Sequence, residues 1–102
     1  MPIFAVHYRY SEATGQGRDR HRPEHRAWLA DLLGSGTLLS SGPYPDGSGA
    51  LLIFQAERAT QLADLLTEDP FAEQGLIDEV RTVEWTPVLG AFTSRAADTV
   101  HN

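Results

Sequence analysis

Four histidines, fourteen carboxylates and eight basic residues, every one of them Arg, are the groups in this 102-residue chain that can move a proton or hold a charge. The chain has neither Lys nor Cys. That excludes a Schiff base, thiolate catalysis, disulfides, cysteine zinc sites and iron–sulfur clusters. Chemistry is left to imidazole and oxygen. With helical residues about 100° apart, His25, Trp28, Leu29 and Leu32 share one stripe, the kind that faces a core. Pro23 suits the first turn of that helix, so His25 stands near its start, where the positive dipole end favours a neutral, proton-accepting ring. Two roles are open to it: a hydrogen-bonding spacer at the edge of the core, or a general base or acid.

Asp69 precedes Pro70, the arrangement of a carboxylate that caps a helical turn with proline at its first position. The same carboxylate, brought beside His25, would fix the ring's tautomer and stabilise its protonated form. Ser40-Ser41-Gly42-Pro43 offers hydroxyls and backbone N–H groups that can hold a carbonyl or carboxylate oxygen, although it is also ordinary turn chemistry. Arg22 and His21 belong to the rim of such a cleft or to solvent. His21 lies four residues before His25, a metal-ligand spacing on a continuous helix. A helix starting at Pro23 leaves His21 outside it, and no third ligand is evident. No metal and no cofactor are expected. Gly15-Gln16-Gly17 and Gly34-Ser35-Gly36 lack the context of a dinucleotide fingerprint.

The elements that must position these groups follow from periodicity. Residues 3–10 alternate as a strand, with Ile3, Ala5 and His7 on one face and Phe4, Val6 and Tyr8 on the other. A loop over 11–17 leads to the helix from Pro23 to about Leu33, which Gly34 and Gly36 end. Strands follow at 37–41 and 50–55, the second continuously apolar and therefore central, across a Gly- and Pro-rich turn. A second helix over 59–67 ends near Asp69-Pro70, one further turn fits 71–76, and a last strand runs over 78–89. The order β-α-β-β-α-β is the split pattern of a ferredoxin-like α+β sandwich, four antiparallel strands with both helices on one face. One domain, residues 1–92, and a fraying tail, 93–102, account for the chain.

Leu51-Leu52-Ile53-Phe54 and Ile3-Phe4-Ala5-Val6 are apolar on both faces, so the helix-free face is expected to pack on a second copy, sheet to sheet. A chain this short leaves little room for a deep cavity, and the walled cleft is expected from that homodimer. The net charge of −6 disfavours nucleic acid. Without a run of 18 apolar residues or a basic leader, the expectation is a cytoplasmic protein with no membrane partner.

Three motifs in order, Arg22-Pro23-Glu24-His25, Gly36-Thr37-Leu38-Leu39-Ser40-Ser41-Gly42-Pro43 and Asp69-Pro70-Phe71, give the chain a specific likeness. It resembles the YCII family, with its R-P-x-H helix start, G-x-L-L-x-x-G-P second strand and D-P-[FY] after the second helix. The resemblance implies a dimeric ferredoxin-like fold similar to muconolactone isomerase, with a His–Asp pair in a cleft, here His25 and Asp69. A dehydrochlorinase of chlorinated hydroxyquinol among the relatives implies proton abstraction or elimination on small oxygenated rings. Where relatives often carry another aromatic, this chain has His7, a change that bears on the pocket. The expected site is thus His25 and Asp69 for acid/base chemistry, with Arg22, Ser41, Gly42, Pro43, His7 and Phe71 around a small-molecule substrate. The alternative is a metabolite-binding or dimerisation module in which Asp69 only caps a helix.

Overall fold

The computed structural model describes residues 1–93. Four strands, β1 (Ile3–Arg9), β2 (Leu38–Pro43), β3 (Gly49–Gln55) and β4 (Glu79–Trp85), form one antiparallel sheet in the order β2-β3-β1-β4. Three helices, α1 (Gly15–Gly34), α2 (Ala59–Leu66) and the single turn α3 (Pro70–Glu73), complete the ferredoxin-like α+β fold.

Alternation in β1 sorts the two faces. Phe4, Val6 and Tyr8 join Leu52 and Phe54 of β3 in the main core, against Leu62 and Leu66 of α2 and the flank of Trp28, Leu29 and Leu32 on α1. Their opposites, Ile3 and Ile53 with Ala5, Leu39 and Leu51, form a second cluster on the helix-free face. Register makes the assignment firm, because residues directly opposite in a ladder share a face: Phe4 faces Phe54, and Ala5 lies between Ile53 and Val83. At the end of β3, a Cβ on Gly49 would lie 1.9 Å from the Tyr8 carbonyl oxygen, so only glycine admits this approach of the two strands.

Three boundaries depart from expectation. The first helix begins at Gly15, not Pro23, and carries Pro23 in its interior. Proline costs an interior helix one hydrogen bond and a ring contact, and here tertiary contacts upstream offset that cost. The buried Arg18 guanidinium donates to the carbonyls of Leu76 (3.2 Å) and Ser11 (2.8 Å) and to Thr14 Oγ1, and lies 4.3 Å over the Tyr10 ring. The second strand extends two residues past Ser41 to Pro43, which an edge strand tolerates since the missing N–H can face away from the ladder. The last strand stops at Trp85, short of Leu89, just before the Pro87 that cannot donate to a ladder. Beyond Thr93, the expected tail lies outside the described residues.

Candidate functional site

His25 sits in the middle of α1 rather than at its start, so the helix-dipole argument for its protonation state does not apply; the charge there falls off within a turn. A side-chain partner supplies the control instead. Asp69 is fully buried. Its Oδ1 accepts from Nδ1 of His25 at 2.7 Å and from the Phe71 backbone N–H at 2.9 Å, and its Oδ2 accepts from the Tyr8 hydroxyl at 2.7 Å. The cap and the histidine partner are therefore one and the same carboxylate. An ionised carboxylate only accepts, so Nδ1 carries the ring hydrogen and Nε2 of the neutral ring keeps its lone pair. Nε2 bonds none of the described residues. The ring is stacked on Phe71, centroids 3.8 Å apart and planes within 5°, so both the tautomer and the plane of the imidazole are fixed.

Two phenols surround the pair. Burial, and then the negative charge of Asp69, push the Tyr8 hydroxyl far above its ordinary range, leaving it a permanent donor to that carboxylate. Tyr10 is pushed up to about 12 by burial first and Asp69 second, with Arg18 and Arg22 pulling it partly back. It is a neutral donor at physiological pH.

The imidazole opens onto a cleft of about 490 Å³ between α1 and the sheet. Arg22, Arg26 and Leu29 of α1 line it on His25's side, Ser41, Gly42 and Pro43 of β2 on the opposite side, with Leu52, Ala50, Tyr10 and Phe71 completing it. A single chain builds this cleft on the helix-bearing side, contrary to the expectation that a dimer would have to wall it. A β-bulge is part of the reason. Between Leu38, which faces Phe54, and Ser40, which faces Ile53, β2 carries one extra residue. The shift places Ser41 opposite Leu52, a core-facing residue, and so turns it toward the cleft.

Of the expected residues, Arg22, Ser41, Gly42, Pro43 and Phe71 gather with His25, and Asp69 stands behind the ring. His7 does not join them. Strand parity puts it on the other side of the sheet, where its Nδ1 shares a 2.8 Å hydrogen bond with the Tyr44 hydroxyl and Arg81 lies opposite it in the ladder. Nor does His21 lie outside the helix: it is within α1, 3.9 Å from Glu24. No cluster of three His, Asp or Glu that would hold a metal occurs among the described residues. The sequence assigns neither Tyr10 nor Arg26 to the site, and it offers Tyr8 as a packing residue of β1. Tyr8 and Tyr10 share parity with Phe4 and Val6 on β1, and Arg26 lies one helical turn beyond Arg22, so the signals were present but indistinguishable from packing and a solvated face. Another cavity, of about 430 Å³ beside α2, is lined by groups such as Thr37, Gln55 and Gln61 and has no imidazole. No helix of the described residues is long and apolar enough to cross a membrane.

Comparison with solved structures places this fold among known ones. The 5-chloro-2-hydroxyhydroquinone dehydrochlorinase of Burkholderia phenoliruptrix, in complex with 2,5-dihydroxybenzoquinone, superposes with a TM-score of 0.71 at 23% identity, over 81% of this chain and 92% of that one. A structural-genomics protein of Agrobacterium tumefaciens reaches 0.55 at 15% identity, over 85% and 93% of the two chains. A NIPSNAP family protein of the same organism reaches 0.54 at 18%, over 84% and 91%. At these identities the likeness is one of fold. No curated protein matches the sequence. The family model of the YCII-related domain matches residues 2–86, a span that contains every strand and helix of the described residues and the His25 cleft, and the chain belongs to the YCII family.

Proposed function

We propose that the protein is a small-molecule enzyme in which Nε2 of His25 takes a proton from a bound substrate and Asp69 holds the ring and balances the charge that develops on it. One observation carries this reading: the buried carboxylate engages Nδ1 at 2.7 Å, which leaves the basic nitrogen free in a ring that lines the cleft. Proton transfer to Nε2 turns the neutral ring into an imidazolium beside a carboxylate, a step that the pair stabilises. Ser41, the backbone at Gly42, the Tyr10 hydroxyl and Arg22 supply donors for the oxygen on which negative charge collects. Pro43 and Phe71 bound an apolar part of the substrate. Such a site suits isomerisation, elimination or hydrolysis of a small oxygenated compound, and the dehydrochlorinase of the same fold makes hydroxylated, halogenated rings the first compounds to assay. The homodimer belongs to the same proposal, through the helix-free face that carries Ala5, Leu51, Ile53, Val83 and Trp85.

His25→Gln tests the chemistry. A positioned general base is worth about 10²–10⁴ in rate, and the variant should lose that much turnover on any substrate the wild type converts. Turnover within threefold of wild type would remove His25 from the reaction. Retention of ligand binding with no turnover in either protein would favour a metabolite-binding module.

A further inference from the structure

The cleft holds more positive charge than the chain around it accounts for. In a protein of net charge −6, no Asp or Glu lines the His25 cleft, yet two arginines do, Arg22 and Arg26. They stand four residues apart on α1, which puts like charges side by side on one helix face, an arrangement that is mildly destabilising without a counter-charge. Arg22 is paired with Asp19 at 2.6 Å; Arg26 forms no ion pair with any described residue. One turn before Arg22 on the same stripe, Arg18 lies over the ring of Tyr10, itself part of the cleft lining. Around His25 stand three guanidiniums, Arg18, Arg22 and Arg26, against two carboxylates, Asp19 and Asp69. One positive charge is left over. Beside Tyr10, Ser41 and Gly42, the rest of the lining is apolar: Leu29, Ala50, Leu52, Pro43 and Phe71.

We infer that the cleft is built for an organic monoanion with a flat apolar body, its anionic group held by Arg26 and Arg22 at the rim and its ring laid along Leu52 and Phe71 toward His25. The inference rests on the reading of this cleft as the substrate site and adds to it the charge and shape of the substrate, with Arg26 as a specificity-determining residue. A carboxylate matches the planar fork of a guanidinium, and the Tyr10 hydroxyl can donate to the same oxygens.

Benzoate and benzamide, nearly equal in shape and differing in charge, separate the alternatives. Binding is followed by calorimetry and by the imidazole NMR signals of His25, which report occupancy of this cleft. Benzoate should bind at least about fivefold more tightly than benzamide, the margin of one partly exposed charge-assisted contact. Arg26→Gln should remove most of that margin, Arg26→Lys should keep part of it, and Arg20→Gln, on the opposite side of α1, should change nothing. Equal affinity for both compounds, a margin that survives Arg26→Gln, or benzoate binding that leaves the His25 signals unmoved would each overturn the inference. None of those results touches proton transfer by His25, which the turnover of His25→Gln decides separately.

Discussion

Asp69 joins two interactions that its sequence context offered as alternatives. It caps α3 through the Phe71 N–H and, through its remaining capacity, binds Nδ1 of His25 and the Tyr8 hydroxyl. Asp69→Ala tests how much these bonds carry. The methyl leaves the Tyr8 hydroxyl, the His25 Nδ1–H and the Phe71 N–H without their acceptor, and a buried unsatisfied group costs about 1–3 kcal/mol; unfolding in urea should show a loss of at least about 2 kcal/mol. A loss near 1 kcal/mol, the size of a cap alone, would mean the contact with His25 contributes nothing to stability. The phenols give a second test. Tyr8 and Tyr10 are raised in the folded state, so the unfolded chain ionises them first, above pH 10, and folded stability present below that pH falls as it rises. Tyr8 should contribute about 1.4 kcal/mol per pH unit, with a smaller share from the half-exposed Tyr10, which levels off as pH passes about 12. Urea midpoints at pH 9, 10 and 11 measure this slope, and it should flatten in Tyr8→Phe.

The elements bring these residues together through two irregularities. Pro23 lies within α1, exposed and two residues before His25. Pro23→Ala restores a donor to the Asp19 carbonyl and removes the ring contact, and should stabilise the protein by about 1–3 kcal/mol. Absence of any gain in urea unfolding would mean that the packing of α1 on the sheet already absorbs the proline. The bulge in β2 is the other irregularity: in a regular ladder from Leu38, Ser40 would lie opposite Leu52 and Ser41 would point to the helix-free face, so the bulge decides which of the two serines turns to the cleft.

For the molecule as a whole, the sheet divides its work. The helix-bearing side holds the cleft within one chain, and the other side presents an apolar surface on which Val83 and Trp85 are exposed while Ile3 and Ile53 are covered. Sheet-to-sheet pairing of two copies would bury that surface. Sedimentation of the wild type should therefore give twice the chain mass, and Val83→Glu, which would place a carboxylate in the middle of the interface, should give the monomer with its His25 cleft intact. A monomeric wild type at micromolar concentration would remove the dimer from the proposal.

Composition and periodicity were enough to reveal the sheet, both long helices and the candidates His25 and Asp69, because strand alternation and the helical stripe are local properties of side-chain order. The charge excess and the absence of thiol and amine were equally local, and they leave imidazole as the one group suited to proton transfer near neutral pH. Distance was not legible. Asp69 read as a cap or as a partner with equal consistency, and only the packing of α3 against α1 made it both. Pro23 pointed to a helix start because the signal of proline is local, whereas the anchor that carries α1 back to Gly15 is Arg18 reaching carbonyls as far along the chain as Leu76. The family resemblance puts His7, and turn chemistry puts Ser41, around one cleft, and the tertiary structure separates them. A strand alternates faces at every residue and a bulge resets that alternation, so side is decided by register, and register is fixed only when the strands pair.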